Sequence, residues 1–203
     1  MKPFNKNEYI LTSSIFLLVI VITIFNLRVA KRKSRDAQRR ADLGAIAVAL
    51  EKYNEDFGYF PPANEGRLVA CKAENFNEIA ADIKDDEVFD RQKLFEGIRA
   101  CGWGKDELTD LFDEDYEAYL KVIPRDPNGD DGMSYQYFSN ENLYQIYAYL
   151  EGENAEDGFS SLIVQRGIKC GKMVCNYGKS FNDIPLDKSI EEYELEIAEK
   201  SGI

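Results

Sequence analysis

Nineteen consecutive residues without a charge, positions 9–27 (YILTSSIFLLVIVITIFNL), constrain this chain more than any other feature. As a helix the stretch extends roughly 28 Å at about 1.5 Å per residue, close to one hydrocarbon thickness. Backbone that leaves water must satisfy its own N–H and C=O groups, so a single transmembrane helix is expected. A cleaved secretory signal has a shorter apolar region and a small-residue cleavage site. Here NLRVAKRKSR follows, so retention as a membrane anchor is expected.

The helical signal does not stop at the lipid. Between residues 30 and 57 there is no proline and one glycine, Gly44. Leu43, Ile46, Leu50, Tyr53 and Phe57 recur at steps of three and four, one apolar stripe. Arg39, Arg40, Asp42, Glu51, Lys52 and Glu55 are assigned to the other faces. The expectation is one continuous helix over about residues 9–56, lipid-embedded over 9–27 and packed on a domain through its stripe over 28–57. Gly58 stops it, and Pro61-Pro62 prevents resumption.

Charge divides near the same place. Residues 1–40 hold nine Lys and Arg against Glu8 and Asp36, whereas the remainder holds 16 basic and 35 acidic residues. So acidic a body repels nucleic acid and stays in solution; nucleic acid is not an expected partner, and the lipid bilayer is. The basic neck, KRKSRDAQRR, is expected to meet lipid phosphates, with pairing to acidic surfaces of neighbouring subunits as the alternative. Two features compete over sidedness. Basic residues after the span favour a cytoplasmic body. Cys71, Cys101, Cys170 and Cys175, an even set, favour disulfides outside the cytoplasm. Zinc ligation and unpaired structural thiols are the alternatives for these cysteines. Disulfides Cys71–Cys101 and Cys170–Cys175 are expected among the three pairings four cysteines allow.

Further along, NFNEIAADIK and DELTDLFDEDYEAYLKVI read as short helices within an irregular stretch. Residues 124–129, PRDPNG, form a turn cluster. SYQYFS (134–139) and LYQIYAYL (143–150) read as an aromatic β-hairpin, and FSSLIVQ (159–165) as a third strand. Ser189 with Glu192 forms a capping box for a C-terminal helix over 189–203 that Gly202 closes. That helix is expected to be solvated, or to dock on the basic neck. The fold class is α+β: one long N-terminal helix against a small antiparallel sheet, in a head over 58–188.

The chain has no His, which removes Ser-His-Asp triads, Cys-His dyads and His-bearing metal sites. There is no P-loop, GxGxxG or GxSxG pattern, and no enzyme activity is expected. No cofactor is required. Calcium is the one the loops suggest, because hard cations want several oxygen ligands from flexible loops. Asp126, Asn128, Asp130 and Asp131 cluster in one loop; Glu151, Glu153, Glu156 and Asp157 cluster in another. An EF-hand is excluded, since position six from Asp126 is Asp131 and position twelve is Tyr137.

RDAQRRADLGAIAVALEKYNEDFGYFP (35–61), followed by LKVIPRDPNG (120–129), SYQYFS and LYQIYAYL, resembles the type IV pilin-like proteins, in particular the group containing the major pseudopilin of type II secretion. The resemblance covers residues 28–62 and 116–150, and leaves about 63–115 as an inserted helical loop. It implies a structural subunit of a pilus-like or pseudopilus-like filament or machine, with homo- or hetero-oligomeric partners of the same kind. It also implies a single-pass protein of the cytoplasmic membrane with its head outside, and calcium in the loop after the strands. The amino terminus departs from the family pattern. Phe4 and Glu8 fall on the family's Phe and Glu, but Pro3 stands where the cleavage-site Gly belongs. Proline fixes its own φ and restricts the residue before it, so the peptidase site is expected to be lost and a minor or noncanonical component is implied. In the family the Glu pairs with a neighbour's N-terminal amine; here Glu8 is expected to be a hydrated, interfacial residue. The alternative function is a non-polymerising single-pass protein whose extracytoplasmic domain binds a ligand or adaptor.

Overall fold

The computed structural model describes residues 6–85, 91–113 and 115–201. Helix α1 (Lys6–Phe57) runs unbroken for 52 residues, roughly 78 Å at about 1.5 Å per residue. Within its apolar part the hydroxyls of Thr12, Ser14 and Thr23 each donate to the carbonyl four residues back, at 2.8 Å, so these polar groups need no outside partner. None of its most apolar window is covered by the rest of the chain, and it is long and apolar enough to cross a membrane. From Asp36 onward one face is buried: Leu43, Ile46, Leu50 and Tyr53 are inaccessible, and Phe57 packs at the edge. The helix ends where Gly58 turns left-handed at φ +75° and donates its N–H to the Asn54 carbonyl at 2.8 Å.

The segment after α1 is not only a helical insertion. It holds a three-stranded antiparallel sheet, β1 (Ala63–Asn64), β2 (Arg67–Lys72) and β3 (Ile98–Ala100), in that order. Helix α2 (Phe76–Asp85), where NFNEIAADIK predicts one, and α3 (Arg91–Glu96) bury Phe76, Ala80, Ile83 and Leu94 with Ile98 and Leu111. The Cys71–Cys101 disulfide ties β2 to the residue following β3. The second helix expected here, over DELTDLFDEDYEAYLKVI, does not form. Asp110 accepts the backbone N–H groups of Phe112 and Asp113, and Asp113 that of Asp115. Such local bonds compete with a helical ladder, and Leu108 pairs with Leu120 instead.

The second sheet is the platform that meets α1. Its hairpin, β4 (Gln136–Ser139) and β5 (Tyr144–Ala148), pairs Gln136 with Tyr147 through Ser139 with Tyr144. Its third strand is not FSSLIVQ. Ser160 caps that segment by accepting the Ile163 N–H, and α4 (Ser161–Gln165) results; a cap overrides the β propensity of a short apolar run. After a two-strand ribbon, β6 (Lys169–Cys170) and β7 (Met173–Val174), the third strand is β8 (Tyr177–Ser180), which pairs with β5 antiparallel. All of β5 is buried because both its faces are covered. Tyr144, Ile146 and Ala148 pack with α1, whereas Tyr147 packs with Met133, Ile163 and the Cys170–Cys175 disulfide. The β6–β7 turn needs Gly171: it sits at φ +78°, and a Cβ there would lie 2.0 Å from the Gly132 carbonyl oxygen.

Helix α5 (Ile190–Ser201) begins with the predicted capping box. Glu192 accepts the Ser189 N–H at 2.7 Å, and Ser189 accepts the Glu192 N–H at 3.1 Å. It buries Ile190 and accepts a hydrogen bond from Asn140 through Glu194, so it lies by the hairpin turn and away from the neck. Gly202 lies outside the described residues.

Candidate functional site: the neck between rod and head

Arg39 lies four residues before Leu43 on the same face of α1, and Asp36 three residues before that. The stripe that grips the head therefore begins with charge, a correction to the assignment of Arg39 to an outer face. Arg39 is completely buried, and Asp36 and Asp126 nearly so. The guanidinium forks onto Asp126, Nε to Oδ2 at 2.8 Å and Nη2 to Oδ1 at 3.0 Å. Its Nη1 donates to Asp36 and to Glu151, each at 2.9 Å. Arg35 grips Glu151 through Nε at 2.6 Å and through Nη2. Asp36 is used further: its Oδ1 also accepts the Glu151 N–H and its Oδ2 accepts the Gly152 N–H, each at 2.9 Å. Asp126 also accepts the Asn128 N–H, which shapes its turn. Half a turn up, Arg40 donates to the Asp157 carbonyl and Asp42 accepts the Tyr135 hydroxyl at 2.6 Å.

Burial opposes the Arg39 charge, but hydrogen bonds to Asp126, Glu151 and Asp36 outweigh it and hold the guanidinium above its ordinary value. The Arg35 hydrogen bonds, with help from Arg39 and against burial, hold the Glu151 carboxyl below its usual 4.5. Asp42 goes the other way: burial raises it, and the Tyr135 hydrogen bond only partly offsets this. Buried ions are costly unless paired and hydrogen-bonded, and here each is. The chemistry of the cluster is that of a clamp, with its charges spent on one another.

The two acidic loops read as calcium ligands do meet, but at a guanidinium. Asp126 is engaged by Arg39, and Glu151 by Arg39 and Arg35. Asp130 pairs with Arg125 at 2.8 Å. Asp131 sits in a 3-10 turn that Gly132 closes, Asn128 precedes that turn, and Glu153 and Asp157 are exposed. Among the described residues, no three acidic or sulfur ligands gather as a metal would need. Pro3 and Phe4 lie outside the described residues, and Glu8 is exposed in the first turns of α1. All four cysteines are in disulfides, Cys71–Cys101 and Cys170–Cys175. Extending the apolar stripe backwards by one and two turns is the sequence signal that finds Arg39 and Asp36; nothing in the sequence marks Asp126 and Glu151 as their partners. Compared with known proteins, the chain matches no family model, no curated protein and no solved structure.

Proposed function

We propose that this chain is a membrane-anchored, pilin-like structural subunit that holds an acidic α+β head outside the cytoplasmic membrane and assembles laterally through α1. The observation that carries the reading is one continuous helix, bare over its apolar first half and clamped to the head over its second. A bare apolar rod needs lipid or other rods, and a clamped junction transmits the position of the rod to the head. The two disulfides support an oxidising compartment for the head.

The test is the state of the protein in its membrane. Cross-linking before extraction is expected to trap copies or kindred subunits joined along α1, and intact mass reads the amino terminus around Pro3 and Phe4. A full-length, unmethylated, monodisperse chain that cross-links to nothing would sink the filament reading and leave a single-pass binding or adaptor protein.

A further inference from the structure

The structure divides the basic neck into two sets that the sequence presents as one. Arg35, Arg39 and Arg40 are committed to the head. Arg28, Lys31, Arg32 and Lys33 are exposed, and among the described residues none of their side chains has an ion pair or hydrogen bond. At 3.6 residues per turn these four spread over about 200° of the helix circumference, directly after the apolar run. We infer that they form a collar that binds the phosphates of anionic lipids in the head-side leaflet and so fixes how close the head sits to the bilayer.

Distance makes the collar necessary. Only Ser34 separates Lys33 from the clamp, which lies about 3–9 Å further along the axis at about 1.5 Å per residue, comparable with a screening length of about 8 Å. The 151–157 loop is held at that level by Arg35, Arg39 and Arg40, and its Glu153, Glu156 and Asp157 are exposed. A head this acidic is repelled by an anionic surface within a screening length. The other three arginines of the neck are engaged with the head, which leaves the four outer cations to attract the lipid. The occupant is a lipid surface because the collar is continuous with the uncovered apolar run, at the level where a spanning helix leaves the hydrocarbon for the phosphates.

This inference rests on α1 spanning the bilayer, and its test separates the two. Full-length protein is reconstituted in liposomes of equal phosphatidylcholine and phosphatidylglycerol, washed with alkaline carbonate, extracted in mild detergent, and its retained lipids counted by native mass spectrometry. Phosphatidylglycerol is expected to be retained preferentially, the preference fading toward 1 M salt, where screening shortens to about 3 Å. In R28Q/K31Q/R32Q/K33Q it falls by roughly fivefold per cation removed. The salt series needs no variant, so a misfolded variant leaves the test intact. Release by carbonate overturns the spanning helix and the collar together. An integral protein that retains both lipids equally overturns the collar alone. So does an unchanged preference in the variant, particularly if cross-links between copies disappear, which would assign the cations to a second copy of the chain.

Discussion

Arg39 is the residue on which the junction turns, because it is a fully buried cation shared by three carboxylates. Replacing it by Met leaves Asp36 and Asp126 buried without their counter-charge, and removing one partner of such a group costs about 3–5 kcal/mol. Thermal unfolding of R39M is expected to show that loss. R39K is expected to recover little of it, since an ammonium cannot fork onto Asp126 while also reaching Asp36 and Glu151. Glu151 supplies a pH dependence whose sign follows from its lowered pKa. The stability it contributes is complete above about 4.5, the ordinary glutamate value, and drains as pH falls through the folded value. Asp42 is raised, so its protonation on acidification works against that loss. E151Q is therefore expected to flatten the decline of stability below about pH 4.5, read from denaturant midpoints across pH. Both groups were visible in the sequence only as charges; the Arg35 hydrogen bonds set the direction for Glu151 and burial that for Asp42.

Among the elements, the two disulfides differ in what they hold. Cys71–Cys101 spans 30 residues and Cys170–Cys175 spans five. On loop-closure entropy the first is worth about 3–4 kcal/mol and the second about 2. C71A/C101A is thus expected to lower stability more than C170A/C175A, in denaturant unfolding of the same chain. The tight β6–β7 turn gives the opposite ranking for a single methyl group. G171A meets backbone rather than a side-chain end, and its melting temperature is expected to fall as far as that of a disulfide variant. Periodicity and caps made α1, α2, α5 and the β4–β5 hairpin legible beforehand. The failures have local causes: Ser160 caps a run that reads as a strand, and Asp110 and Asp113 draw backbone N–H groups out of a run that reads as a helix. Strands as short as β1, β6 and β7, two residues each, carry no period for a sequence to display.

For the molecule as a whole, the clamp divides α1 into a part with tertiary contacts and a part without. Cleavage within a helix follows local opening, which is least costly where nothing packs on it. Limited trypsin treatment of the detergent-extracted protein is expected to cut after Arg28, Lys31, Arg32 or Lys33 and to spare Arg39. The product would be a soluble, disulfide-bonded head starting between residues 29 and 34, identified by mass; early cleavage after Arg39 would show that the clamp does not hold. The sequence alone determined what repeats along the chain: an apolar run as long as a bilayer is thick, a stripe of step three and four, and an acidic body behind a basic neck. These are one-dimensional patterns imposed by helix geometry and by the solvent each segment meets. Which of seven neck cations serve the head and which stay outside was decided only by tertiary structure. An arginine reads the same in sequence whether a carboxylate 87 or 112 residues away closes over it or water does, and only the folded chain brings those carboxylates to it.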